Sequence, residues 1–104
     1  AGDTAPGPVF NEMRRRLGAM DVALVPIGAF APGWLMGHKH ATPEAAAELA
    51  IRMGAPIGIA NHWGTFPLGD DLPAEAKARF EKTARVGFRP LVLKLGETMA
   101  LHAR

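Results

Sequence analysis

The hydrophobic residues of this sequence alternate between helical spacing and short continuous runs. Phe10, Met13 and Leu17 recur at the spacing of one helix face and are followed by Gly18, which predicts a short amphipathic helix with a glycine stop. Residues 21–27 then form an apolar run bounded by turn residues. Such a run predicts a strand that is buried on both faces of a sheet.

The middle of the chain repeats this order of helix and strand. Thr42 followed by Pro43 is typical of a helix N-terminus, and an alanine-rich segment continues from there to Gly54. Residues 57–60 predict a second strand, which leads directly into the sequence His-Trp-Gly-Thr-Phe at residues 62–66. Polar chemistry is therefore expected at the carboxyl end of this strand.

The last third of the chain predicts one more helix and a hairpin. The helix begins at Leu72-Pro73 and is closed by Gly87. Residues 90–94 and 98–102 resemble the two strands of a terminal hairpin. Alternating strands and helices indicate an α/β fold. Because the predicted elements are too few to cover both faces of a sheet, the pattern is typical of half of a larger fold.

Composition excludes several classes of protein. The 104 residues, 48% of them hydrophobic, fit one small globular domain. The 12 Lys and Arg residues nearly balance the 10 Asp and Glu residues, and a net charge of +2 indicates no nucleic-acid partner. The run Arg14, Arg15 and Arg16 is interpreted as a solvated helix face, with a basic interaction module as the alternative. Since there is no cysteine, any metal must be bound by His, Asp or Glu.

No segment of the sequence predicts a membrane span or a signal peptide. The apolar run at residues 22–31 is interrupted by Pro26 and Gly28 and is shorter than the roughly 20 residues that cross a bilayer. The sequence starts without Met and without a basic region followed by an apolar stretch. Ala1 is therefore interpreted as an excision or processing point. We expect a cytoplasmic protein, with peripheral attachment to a membrane left open.

Four segments contain the candidate functional residues: residues 2–4, the loop over residues 26–36, His40, and residues 62–66. Each has an ordinary structural explanation when it is taken alone. Asp3 in a Gly-Asp-Thr triplet is typical of a turn or a cap. His62 is explained as a hydrogen-bonded structural histidine, and His38 and His40 as polar loop residues. Large apolar side chains among them are ordinarily core residues: Trp34, Met36, Trp63 and Phe66.

The order and spacing of these segments resemble the C-terminal half of the metallo-β-lactamase superfamily, in the branch of N-acyl-phosphatidylethanolamine-hydrolysing phospholipases D. In that branch a Gly-Asp-Thr, a Pro-Ile-Gly-Ala-aromatic loop with Pro, Trp and Met, a His before Pro-Glu-Ala, and a His-Trp-Gly-Thr-Phe follow one another as they do here. Leu-Gly-Glu-Thr at residues 95–98 resembles the tail of the family. The resemblance covers residues 1–104 as one domain and implies the C-terminal half of an αββα sandwich.

The resemblance also implies a site with two divalent metal ions, and zinc is the expected metal. The aspartate matching Asp3 bridges the two ions, and the histidine matching His62 is a terminal ligand of one of them. This agrees with the chemistry of the side chains, because a carboxylate offers two oxygens and a neutral imidazole one directional bond. The histidine matching His40 lies near the metals and is expected to position substrate or move a proton. Three side chains form the apolar wall of an acyl or leaving-group pocket, with plain packing as the alternative: Phe30, Trp34 and Met36.

The implied activity is hydrolysis of a phosphodiester or ester-like bond by a metal-bound hydroxide, in a small-molecule or lipid-like substrate. The ligand cluster His-x-His-x-Asp-His of the family's N-terminal half has no counterpart here. Two ligands do not hold two metals tightly, so the missing N-terminal half of the same fold is the expected partner, and a homodimer is left open. The alternative is a catalytically inactive half-domain that acts as a binding or scaffold fragment.

Two departures from the family pattern leave the substrate preference open. Residues 5–7 are Ala-Pro-Gly where the family commonly has Gly and an aromatic residue, and Gly33 stands where Arg is frequent. The expected geometry is nevertheless specific. Asp3 and His62 should both lie at strand ends on one edge of the sheet and face a common cavity.

Overall fold

The computed structural model describes residues 7–28, 42–64 and 73–102. These residues form three helices and three strands in alternating order. Their bounds are α1 Val9–Leu17, β1 Val22–Pro26, α2 Pro43–Arg52, β2 Ile57–Asn61, α3 Pro73–Glu81 and β3 Arg89–Leu91. None of these helices is long and apolar enough to cross a membrane.

The three strands form a parallel sheet in the order β1-β2-β3. Val22 is paired with Ile57, and Leu24 with Ile59, which is paired in turn with Leu91 on β3. Parallel neighbours cannot be joined by a tight turn and need a crossover connection. Here α2 lies between β1 and β2 in sequence, and α3 lies between β2 and β3. The α/β class predicted from the alternation of elements is confirmed.

The start of α2 follows from its first two residues. The Thr42 side-chain oxygen accepts a hydrogen bond from the Ala45 amide at 3.1 Å, and Pro43 occupies a first-turn position where a missing N–H costs nothing. The predicted cap is therefore present. The alanines of α2 are small enough to let the helix approach the sheet closely, and four of its residues are buried in the core: Ala46, Ala47, Leu49 and Ala50.

Helix α1 is also present, and Gly18 ends it with a φ of 84°. Only part of its predicted apolar stripe packs against the core. Phe10 packs against the core, whereas Met13 and Leu17 are exposed. Phe10 and Met13 instead line an apolar groove of about 440 Å³, together with residues of α2 and β1. Arg15 and Arg16 both donate to Glu12 on the exposed side of α1, as expected of a solvated helix face.

One face of the sheet is covered by helices. Val25 and Ile27 of the β1 segment lie in the same buried cluster as the alanines of α2, with Phe80 of α3 and Phe88. Gly58 of β2 belongs to this face, because a Cβ built there would lie 2.8 Å from the ring atom Cζ of Phe88. A glycine at this position lets the Phe88 ring lie directly against the strand.

The opposite face of the sheet is apolar but is not part of this cluster. Its alternate strand residues are apolar at five positions, with the charged Arg89 beside Ile57 on β3: Val22, Leu24, Ile57, Ile59 and Leu91. The exposed fraction of Leu24 is 52%. The prediction that β1 is buried on both faces is therefore wrong at Leu24. A continuous apolar run indicates that both faces are suited to burial, but within the described residues only one face has helices packed on it.

Two predictions for the last third of the chain are also wrong. Helix α3 ends at Glu81 rather than near Gly87, because the Thr83 amide and hydroxyl both donate to the Phe80 carbonyl and close a turn. The terminal hairpin does not form. Residues 94–97 do make a turn, with the Glu97 amide 2.9 Å from the Lys94 carbonyl, but residues 92–102 contain no strand. β3 instead pairs in parallel with β2.

Candidate metal-binding site

The carboxyl end of β2 carries the one predicted metal ligand that lies within the described residues. β2 ends at Asn61, and His62 follows directly with an exposed side chain. In open parallel α/β sheets, ligands bind outside the carboxyl ends of the strands, where side chains from neighbouring strand ends converge. His62 therefore occupies the edge of the sheet at which a site is expected.

The backbone of His62 is in the left-handed region, with a φ of 54°. Among the described residues, it is the one residue other than glycine with a positive φ. The left-handed conformation costs a residue with a side chain roughly 1–2 kcal/mol. Such strained positions cluster at functional sites, where the surrounding structure imposes them. A glycine at this position would relieve the strain.

The end of β1 lies beside this residue. The Ile27 amide donates a hydrogen bond to the Asn61 carbonyl at 3.2 Å, which extends the pairing of β1 and β2 one residue beyond β1. Gly28 follows and is buried. A Cβ built on Gly28 would collide with the His62 carbonyl oxygen and would lie 3.0 Å from the Cα of Trp63. The two strand ends are therefore in backbone contact at residues 28 and 62.

The other predicted site residues lie outside the described residues: Asp3, Phe30, Trp34, Met36 and His40. The expected convergence of Asp3 and His62 on one cavity thus stays a prediction. Trp63 is half-buried and packs against the core, as its alternative interpretation held. Within the described part of the chain, no group of three or more His, Cys, Asp and Glu side chains could hold a metal ion.

His62 by itself fits one position of a metal site. An exposed imidazole at a strand end can give one directional bond to zinc, whereas a stable zinc site needs at least three protein ligands. A metal held by His62 would need its remaining ligands from other parts of the protein.

The contact at Gly28 was missed by sequence reasoning, which assigned Gly28 only to a loop. A glycine directly after a buried strand is nevertheless a known indication that another backbone approaches closely. What the sequence did not contain was the identity of that backbone, since residues 28 and 62 are brought together by the pairing of β1 with β2.

Comparison with known proteins shows the family of the chain. Residues 1–63 match the model of the β-lactamase superfamily domain. The chain belongs to this family. The matched range includes Gly-Asp-Thr at residues 2–4, the segment over residues 26–36, and His62.

Several relatives carry related names. An N-acyl-phosphatidylethanolamine-hydrolysing phospholipase D of Caenorhabditis elegans is 41% identical over 69 residues, which are 65% of this chain and 19% of that protein. A mitochondrial protein of the same name from Saccharomyces cerevisiae is 30% identical over 84% of this chain and 19% of its own length. A metal-dependent hydrolase of Symbiobacterium thermophilum is 35% identical over 97% of this chain and 42% of its own length.

A solved structure shows the same fold. The metallo hydrolase of the archaeon Ignicoccus hospitalis superposes on all of this chain with a TM-score of 0.70 and 27% identity. The match covers 40% of that protein. The metallo-β-lactamase fold and the resemblance to the phospholipase D-like branch are thereby confirmed. The chain spans about a fifth of the phospholipases it matches and about two fifths of the other hydrolases.

Proposed function

We propose that this chain forms part of the active site of a metal-dependent hydrolase of phospholipase D-like type, in which His62 is a metal ligand. The observation that carries the proposal is the position of His62. It lies at the carboxyl end of a parallel strand, it is exposed, and it is held in a left-handed backbone conformation. The family match at residues 1–63 and the metal-dependent hydrolases among the relatives support the same assignment.

The proposed site contains two divalent metal ions, with zinc as the metal. Asp3 would supply a carboxylate ligand and His62 an imidazole ligand, in accordance with the preferences of zinc for carboxylate oxygen and imidazole nitrogen. Bound at this position, the ions would supply Lewis acidity toward a phosphoryl or carbonyl oxygen of the substrate. The substrate class is a phosphodiester or ester-like bond in a small molecule or a lipid.

His40 is proposed to act beside the metals rather than on them. An imidazole titrates near neutrality, so a His40 within hydrogen-bond reach of the leaving group could protonate it as the bond breaks. The apolar wall of the same pocket is assigned to three side chains: Phe30, Trp34 and Met36. They would contact the acyl or leaving group of the substrate.

The sheet face without helices, called the open face below, is an argument for a partner that completes the fold. Leu24, Ile59 and Leu91 present large apolar side chains there, and Leu24 also lines the groove beside α1. We propose that the N-terminal half of the same fold covers this face and brings the remaining metal ligands. The alternative is a scaffold role without activity, in which the same face is covered but no metal site is assembled.

Zinc titration of the 104-residue chain tests the assignment of His62. Isothermal calorimetry should show binding weaker than about micromolar, because fewer than three protein ligands are expected in this chain. His62→Ala should weaken it further, because it removes one of the protein ligands. His102→Ala is the matched control, since His102 is another exposed histidine outside the proposed site, and it should leave the binding unchanged.

The variants His62→Ala and His40→Ala then distinguish the enzymatic role from the scaffold role. When the chain is expressed with the genomic sequence that flanks it, His62→Ala should lose metal and activity together, whereas His40→Ala should keep its metal and lower kcat. Equal zinc binding by wild type and His62→Ala would refute the ligand assignment. A metal-free, folded and inactive product would favour the scaffold role.

A further inference from the structure

We infer that Gly28 is a positioning residue for His62. Its missing side chain allows the end of β1 to lie against the His62–Trp63 backbone, and this contact holds His62 in its left-handed conformation at the edge of the sheet. We base the importance of this position on the proposed role of His62 as a metal ligand, while the geometry itself is independent of that role.

The first support is the kind of atom that Gly28 meets. A Cβ at residue 28 would collide with the carbonyl oxygen of His62 and would lie 3.0 Å from Cα and 3.2 Å from Cβ of Trp63. The first two are backbone atoms, which cannot rotate away as a side chain can. A side chain at residue 28 therefore has to move the peptide between His62 and Trp63.

The second support is the backbone pairing at the same point. The hydrogen bond from the Ile27 amide to the Asn61 carbonyl fixes the distance between the strands directly before Gly28 and His62. The displacement caused by a Cβ at residue 28 cannot be spread along the strands, because this bond holds them together. It falls on His62, whose φ of 54° already differs from that of its strand neighbours.

A ligand responds strongly to such a displacement. Distances from a metal to its ligands are held to about 0.2 Å, and changes in residues that orient a ligand typically lower metal affinity 10–100-fold. A shift of the His62 peptide changes the direction of the imidazole as well as its distance from a bound metal. Gly28 therefore controls where the imidazole nitrogen can reach.

Gly58 provides a matched control for substitution at Gly28. Both residues are buried glycines: Gly58 lies within β2, and Gly28 lies two residues beyond the end of the neighbouring strand β1. A Cβ at Gly58, however, meets the ring of Phe88 at 2.8 Å, which belongs to the core and lies away from His62. Gly58→Ala should thus disturb core packing while leaving His62 in place, and Gly28→Ala should displace His62.

The experiment compares wild type, Gly28→Ala and Gly58→Ala as 104-residue chains. Nuclear magnetic resonance measures the zinc-dependent shifts of the His62 ring, assigned with His62→Ala, and the three-bond amide to α-proton coupling of residue 62, which reports φ. Gly28→Ala should weaken the zinc response of His62 by about tenfold and shift the coupling. Gly58→Ala should lower the melting temperature and change neither. A wild-type coupling and zinc response in Gly28→Ala would overturn the inference.

A second comparison tests the imposed conformation without adding any atom at residue 28. His62→Gly and His62→Ala both remove the imidazole, but only glycine relieves the left-handed backbone. His62→Gly should melt above His62→Ala by about 4–8 °C. Equal melting temperatures would mean that no strain is imposed at residue 62, and the inference would fail even if Gly28→Ala did not fold.

The outcomes also separate this inference from the proposed function. If the wild-type His62 ring does not respond to zinc, the ligand role is refuted. The coupling at residue 62 in Gly28→Ala and the melting comparison would still decide whether Gly28 positions His62.

Discussion

The two faces of the sheet are both apolar, yet they are built from side chains of different size. The helix-covered face combines Val25 and Ile27 with three small residues, Ala23, Gly58 and Ala60. The small residues let helices and the Phe88 ring approach closely. The opposite face has Leu24, Ile59 and their neighbours in the register, which are large and branched or long.

This difference shows what each face is suited to contact. Small residues fit an alanine-rich helix such as α2 at short range. Large aliphatic residues are needed to fill the space of about 10 Å between two packed sheets. The open face therefore has the composition expected of a sheet that packs on a second sheet, in agreement with the metallo-β-lactamase fold of the structural neighbour.

The same substitution on the two sides of the sheet, in α2 and on the open face, gives the largest expected contrast. Leu49 is 2% exposed and Leu24 is 52% exposed. Leu49→Ala should lower the free energy of unfolding by about 2–5 kcal/mol, whereas Leu24→Ala in the isolated chain should change it by about 0.5 kcal/mol or less. Urea denaturation monitored by circular dichroism measures both. If Leu24→Ala proved as costly as Leu49→Ala, the open face would already be covered within this chain.

The N-terminus of α2 provides a smaller effect on the helix-covered side. Thr42→Ala removes the side-chain acceptor of the Ala45 amide and should destabilise the chain by about 1 kcal/mol. Thr42→Ser keeps the hydroxyl and is the matched control, so it should retain most of the stability. Thermal unfolding compares them. A Thr42→Ser variant as unstable as Thr42→Ala would show that the methyl group matters rather than the cap.

The smallest expected effect concerns the ion pair between α2 and α3. Arg79 donates to both carboxylate oxygens of Glu44 at 2.7 Å, and this hydrogen bonding holds the pKa of Glu44 below its usual value. Because the pKa of Glu44 is lower in the folded than in the unfolded state, the pair stabilises the fold above the unfolded pKa. This stabilisation is lost as pH falls through the folded pKa.

Glu44→Gln tests this interaction. The side chains are 53% and 31% exposed for Glu44 and Arg79, and solvent screening limits the contribution to about 0.5 kcal/mol. Glu44→Gln should therefore be slightly less stable than wild type at pH 7 and equal to it at acidic pH. The Glu12 carboxylate, paired with Arg15 on the solvated side of α1, gives a control: Glu12→Gln leaves the contact between α2 and α3 intact. An undiminished difference between Glu44→Gln and wild type at low pH would contradict the charge-based explanation.

Much of the fold and part of the site could be predicted from the sequence because the decisive features are local. Thr42-Pro43 determines where α2 begins, Gly18 ends α1, and the apolar runs at residues 21–27 and 57–60 become β1 and β2. The spaced motifs identified the family, since residue identity at a metal site is fixed by its chemistry. The placement of Asp3 and His40 relative to His62 stays a prediction.

The features decided only by the tertiary structure are those in which distant segments meet. The terminal hairpin was predicted from a local pattern, whereas in the structure β3 pairs in parallel with β2 and residues 92–102 form no strand. Leu24 was expected inside because an apolar pattern does not say which face receives helices. The contact between Gly28 and the His62 peptide, and with it the left-handed backbone of His62, depends on the parallel pairing of β1 and β2. The sequence determines local conformation and which types of side chain are available as ligands. The backbones of residues 28 and 62, which are 34 positions apart in the sequence, come together only once the sheet has formed.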